Sequence, residues 1–142
     1  MKNISDGQAD MNELKKEILE KELTNKIIKS FYNVYNKLGY GFLKKVYEKS
    51  LIVEFTKQDI ECESQKPIGV YYDDIKVSEY FADIIVENRV IIELKAAESL
   101  KKEHEAQLYN YLKATNIEVG LLFNFGKEPQ FKRMIFENKY KK

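Results

Sequence analysis

A single cysteine, Cys62, in 142 residues rules out an internal disulfide. It makes a reducing, cytoplasmic location the simpler expectation. There is also a single histidine, His104. Zinc sites usually draw three or four ligands from histidine, cysteine and carboxylates, so this composition argues against a zinc enzyme. The segment HEAQL at 104–108 lacks the second histidine of a metalloprotease helix. No apolar run reaches the length of a signal peptide or a membrane span, and the opening MKNISDGQADMNELKK is polar, so no membrane association is expected. Formal net charge is only +1, which gives no overall basic field to attract nucleic acid; any such surface must be local. The stretch 127–142 holds a local excess of lysine and arginine, read most simply as a solvated terminus.

What is present points to a folded chain. Hydrophobic residues make up 44% and charged ones 33%, and the length suits one domain with one core. Residues 1–10 show no periodicity and are expected to be disordered, with a single domain over 11–142. From Met11 the pattern is helical, and Leu23, Ile27, Phe31, Val34, Tyr35 and Leu38 form one apolar stripe. Gly39 suits a helix C-terminal cap, and Gly41 a tight turn into a second helix over about 42–58. GYG is not a dinucleotide loop, since no strand precedes it and no third glycine follows. From Ile60 the period shifts toward two. IGVYYDD, KVSEYFADIIV and VIIELKA then predict an antiparallel meander with turns at Asp73–Asp74 and ENR. A helix over KKEHEAQLYNYLKAT, a buried strand EVGLLFNFG and an edge strand FKRMIFE complete the order.

The segment VIIELKAAE at 90–98 sets Glu93 and Lys95 inside an otherwise apolar strand. Burying an ionised group costs several kcal/mol unless it is paired or bound. Alternation puts Glu93 and Lys95 on the face of Ile91, and in the preceding strand it puts Asp83 with Phe81 and Ile85. With a three-residue loop of Glu87, Asn88 and Arg89, Val86 pairs with Val90 and Asp83 lies opposite Glu93. Their Cβ atoms would then be about 4.5 to 5.5 Å apart, where like charges repel unless a cation lies between them. Hard oxygen ligands of this kind suit Mg²⁺ or Mn²⁺. Lys95 could orient a metal-bound water or neutralise developing charge. A partly exposed strand with an ordinary Glu–Lys pair is the alternative.

On the helix that follows, His104, Gln107 and Tyr111 fall within about 60° of one another around the axis. The stripe offers donors and acceptors for phosphate; spacing alone fits an interfacial histidine and a core tyrosine equally well.

These residues together resemble a known family. The stretch from about Leu23 to Gly126 is similar to the GxxExxY proteins of the PD-(D/E)XK nuclease superfamily. Asp83 and the triplet Glu93, Leu94, Lys95 match the superfamily's metal-binding motif, and Gln107 with Tyr111 matches the QxxxY helix of RecB-type nucleases. The resemblance implies an α/β (α+β-like), restriction-endonuclease-like core: a central mixed β-sheet flanked by helices. It also implies a Mg²⁺-dependent phosphodiesterase acting on nucleic acid, DNA first, in repair or in defence against foreign DNA. By analogy Asp83, Glu93 and the Leu94 carbonyl ligate the metal, Lys95 assists the attacking water, and Gln107 and Tyr111 position DNA or support the site; His104 is a weaker candidate. The namesake motif departs from the family: GFLKKVY keeps Gly41 and Tyr47 but has Lys44 where the glutamate belongs, with Glu48 one turn on as a substitute carboxylate. A catalytically silent relative that binds nucleic acid or a protein is therefore the second expectation. Small domains of this kind often engage both strands of a duplex as a homodimer, and no residue here specifies one.

Overall fold

The computed structural model describes residues 4–141. Helix α1 (Ile4–Leu38) and helix α2 (Lys44–Lys57) come first. Strands β1 (Cys62–Tyr72), β2 (Ile75–Val86) and β3 (Val90–Lys95), helix α3 (Lys102–Lys113), and strands β4 (Val119–Phe125) and β5 (Pro129–Ile135) follow. A short 3₁₀ turn, Asn138–Tyr140, ends the order. Of the segment 1–10 expected to be disordered, residues 1–3 lie outside the described residues and 4–10 fall in the first turns of α1.

The five strands form one sheet in the order β1-β2-β3-β4-β5. The first three pair antiparallel as a meander, and the predicted register holds: Val86 pairs with Val90, Ile85 with Ile91 and Ile84 with Ile92. Glu87 and Asn88 take positive φ in the loop, and the Arg89 N–H donates to the Val86 carbonyl at 2.9 Å. β3 and β4 run parallel, as the α3 crossover between them requires. β5 returns antiparallel along the edge.

Alternation along the central strands sorts the core into two layers. Ile92, Leu94, Leu121 and Phe123 pack beneath α1 and α2, against Ile27, Phe31, Leu51 and Phe55. Ile91 and Leu122 pack beneath α3, against Leu108, Tyr111 and Leu112. β4 is buried along its whole length because helices cover both its faces.

Two local features set the start of α2. Gly39, with φ of +69°, ends α1 and donates its N–H to the Tyr35 carbonyl at 2.7 Å. The Tyr47 ring is fully buried against Phe125, and its hydroxyl donates to the Gly39 carbonyl at 2.7 Å and accepts from the Phe42 N–H at 3.2 Å. Glycine turn and tyrosine together fix where Lys44 emerges.

β2 leaves β3 after Ile84, while its pairing with β1 continues out to Tyr72 and Ile75. The β1–β2 hairpin therefore projects beyond the sheet as an arm with Tyr71, Tyr72, Ile75, Val77, Tyr80 and Phe81 exposed. Among the described residues no helix is long and apolar enough to cross a membrane.

Candidate active site

The β2–β3 ladder ends where the two acidic residues face each other. Beyond Ile84 and Ile92, carboxylates replace the backbone ladder: the Asp83 N–H donates to Glu93 Oε1 at 2.9 Å, and the Leu94 N–H donates to Asp83 Oδ2 at 2.9 Å. Each side chain satisfies a main-chain donor that the split between the strands would leave unpaired. A strand residue's N–H and C=O project toward the same neighbour, so the Leu94 carbonyl also faces this gap.

Strict alternation had placed Asp83 on the face of Phe81 and Ile85, and this is corrected. Ala82 and Ile85 share the α3-side layer whereas Ile84 lies in the other, so the alternation breaks at Asp83 and its carboxylate turns into the gap between the strands. The irregularity coincides with Gln65 on β1, which takes a left-handed φ of +54°. Such a conformation in a non-glycine residue costs about 1–3 kcal/mol and persists where surrounding contacts hold it. Those contacts are polar: Gln65 Nε2 donates to Glu48 Oε1 at 2.8 Å and reaches Asp83 Oδ1 at 3.3 Å.

Two buried carboxylates thus meet, Glu93 2% and Asp83 4% exposed, and a third, Glu48, 5% exposed, lies behind Gln65. Glu48 joins through Gln65 rather than by direct contact with Asp83. Burial first, and then the neighbouring Asp83 charge, push the Glu93 carboxyl up to about 8. Lys44 Nζ stands 2.9 Å from Asp83 Oδ1.

The α3 stripe faces the same opening. Lys95 Nζ donates to Gln107 Oε1 at 2.8 Å, and Gln107 Nε2 donates to the Tyr111 hydroxyl at 3.0 Å. Burial, followed by the charge of Glu93, raises the Tyr111 phenol above its ordinary value. His104 serves the helix end: its Nδ1 accepts the Lys101 N–H at 3.1 Å, and burial followed by the charge of Lys95 lowers its pKa.

The sequence reading missed Gln65 and Asn124. Asn124, fully buried beside Lys95 in the β3–β4 register, accepts the Ala97 N–H and donates to the Ala97 carbonyl, each at 2.9 Å. It pins the turn that follows Lys95. A buried amide within LLFNF was the available signal. The basic stretch near the C-terminus is drawn into local contacts: Lys132 pairs with Glu105, Lys139 with Glu137 at 3.2 Å, and Lys141 Nζ donates to the Thr115 and Ile117 carbonyls.

Next to the site, a groove of about 780 Å³ runs between the hairpin arm and α3. Tyr71 and Tyr80 line one side, Asn110 and Lys113 the other, and Gln107 and Tyr111 connect it to the carboxylates. A Cβ at Gly69 would lie 3.0 Å from the Tyr71 ring, so glycine lets that ring settle over the strand.

Among the described residues no three histidine, cysteine or carboxylate side chains gather as a metal cluster. Two carboxylates and a main-chain carbonyl nevertheless fit Mg²⁺, which is commonly held by one or two carboxylates plus waters and substrate oxygens.

A mixed sheet covered by helices on both faces, with an acidic pair where two strands part, places the protein in the restriction-endonuclease-like α/β class. The chain belongs to the PD-(D/E)XK nuclease superfamily, whose family model matches residues 21–134. Among solved structures it is similar to the crystal structure of SSO0001, with a TM-score of 0.50 and 19% identity over 66% of this chain. That likeness concerns the fold, and the match spans 50% of the SSO0001 chain. No curated protein matches. Nucleases of this superfamily generally use divalent metals and act on nucleic acid.

Proposed function

We propose that the protein is a Mg²⁺- or Mn²⁺-dependent phosphodiesterase of the GxxExxY type, acting on DNA. The observation that carries this reading is the buried Asp83–Glu93 pair at the strand split, with Lys95 two residues further along β3. Asp83, Glu93 and the Leu94 carbonyl would hold the ion. When bound, such an ion lowers the pKa of a coordinated water and offsets charge on the phosphoryl oxygens.

The other residues act on substrate and solvent. One Lys95 ammonium proton is engaged by Gln107 Oε1, which fixes the head group; the remaining donors are available to a phosphate oxygen or the attacking water. Tyr111 holds the Gln107 amide in turn. Glu48, through Gln65, keeps Asp83 turned into the gap. The aromatic groove suits the bases of an unpaired strand, since base stacking tolerates any sequence.

Lys44 favours a second reading, a silent relative that binds nucleic acid without cutting it, because its ammonium already neutralises Asp83. Cleavage assays on single-stranded, duplex and branched DNA in Mn²⁺ decide between the two. The nuclease reading expects cutting that EDTA, Asp83→Asn and Glu93→Gln each abolish. Absence of cutting by both wild type and Lys44→Glu, with DNA binding that survives Glu93→Gln, supports the silent relative.

A further inference from the structure

The cation nearest Asp83 is supplied by the chain itself. Lys44 is the first residue of α2, and its placement opposes the helix: Lys44 and Lys45 open a first turn that contains no acidic residue, although that end of a helix dipole favours anions. An attraction elsewhere must offset this. It comes from a carboxylate only 5% exposed, beside a second buried carboxylate, where unneutralised negative charge is costly.

The oxygen that Lys44 contacts is also the one best placed for an ion. Asp83 Oδ2 is committed to the Leu94 N–H at 2.9 Å, whereas Oδ1 carries only the longer 3.3 Å contact from Gln65 besides the ammonium. The Lys44 side chain is 42% exposed, so it reaches Asp83 from the solvent side and can withdraw without unpacking the core.

We propose that the Lys44 ammonium is the resident cation of this site, and that a divalent ion binds Asp83 and Glu93 by displacing it. This rests on the nuclease reading above and adds a specific competitor to it. An ammonium that sits on Asp83 for about nine-tenths of the time lowers the apparent metal affinity about tenfold. The same contact keeps the buried Asp83 carboxylate of the metal-free fold from standing without a positive charge beside it.

The test is Mn²⁺ binding to the full chain by calorimetry, accompanied by the melting temperature with and without Mn²⁺. Lys44→Gln removes the charge and should bind Mn²⁺ about tenfold more tightly than wild type. Its metal-free melting temperature should fall while its gain on adding Mn²⁺ grows. Lys44→Arg keeps the charge and should bind like wild type; Lys44→Glu, which adds a carboxylate at a helix N-terminus, should bind more tightly still. Glu93→Gln in each background should remove the binding. Equal affinity in wild type and Lys44→Gln, abolished by Glu93→Gln, overturns the resident-cation proposal and leaves the nuclease reading standing. Tighter binding in Lys44→Gln that survives Glu93→Gln places the ion elsewhere and also overturns the proposal. Failure of wild type, Lys44→Gln and Lys44→Glu alike to bind Mn²⁺ sinks both.

Discussion

Asp83 and Glu93 complete each other's strands: the backbone N–H of Asp83 donates to the Glu93 carboxylate, and the Asp83 carboxylate accepts the N–H of Leu94, the residue after Glu93. Two acids in contact through main-chain donors make the metal-free site sensitive to pH. The Glu93 carboxyl is raised from 4.5 to about 8, first by burial and then by Asp83, so the folded protein holds a proton there that the unfolded chain releases. Its contribution to stability is full below about 4.5 and is lost as pH rises through about 8. Thermal melts in EDTA across this range should show stability declining with pH, and Glu93→Gln should flatten the decline. A wild-type profile as flat as that of the variant would mean Glu93 is ionised at neutral pH.

Removal of Asp83 has a different structural cost. Asp83→Ala leaves the buried Leu94 N–H without its acceptor, which costs about 1–3 kcal/mol, and it also frees Lys44. Chemical denaturation should show Asp83→Ala less stable than Glu93→Gln, since glutamine keeps an oxygen for the Asp83 N–H. The reverse order would contradict the reciprocal bonding.

Lys95 and Gln107 should separate turnover from metal binding. Lys95→Ala should lower kcat while leaving Mn²⁺ affinity close to wild type, because its ammonium is bonded to Gln107. Gln107→Leu should give a smaller loss in kcat, since it frees the lysine head group without removing it. Equal losses of metal affinity and of kcat in Lys95→Ala would show instead that the lysine organises the ion site.

The groove yields a substrate prediction. Tyr71→Ala and Tyr80→Ala remove exposed rings from its wall, and base–aromatic stacking contributes about 1–3 kcal/mol per base. KM for a single-stranded substrate should rise at least about fivefold in each, with kcat little changed, while a blunt duplex should be affected less. Equal effects on both substrates would argue against unpaired bases in the groove.

Close approach of backbone sets the turn after Lys95. A Cβ at Gly126 would lie 2.4 Å from the Ala97 carbonyl oxygen, and both are backbone positions that cannot turn aside as a side chain does. Gly126→Ala should therefore destabilise the fold by about 1–3 kcal/mol in urea denaturation, the ordinary range for overpacking.

Local periodicity determined much of this protein. Alternation and a three-residue loop fixed the β2–β3 register as far as Ile84 and Ile92, because a slip of one residue would move every apolar side chain to the wrong layer. This brings Asp83 and Glu93 to the same end of the ladder; the break in alternation that turns Asp83 into the gap was not legible in the sequence. The 3.6-residue period of α3 put Gln107 and Tyr111 on one stripe, and the structure turns that stripe to Lys95. Tertiary structure alone decided what surrounds the acidic pair. Lys44 reaches Asp83 because the Gly39 turn and the buried Tyr47 seat the start of α2 over the strand split. Gln65 leaves the strand conformation because Glu48 and Asp83 both draw its amide. Asn124 is buried because the turn after β3 folds its backbone onto β4. None of these contacts joins sequence neighbours, so no spacing in the chain encodes them; each exists only once the helices have packed on the sheet.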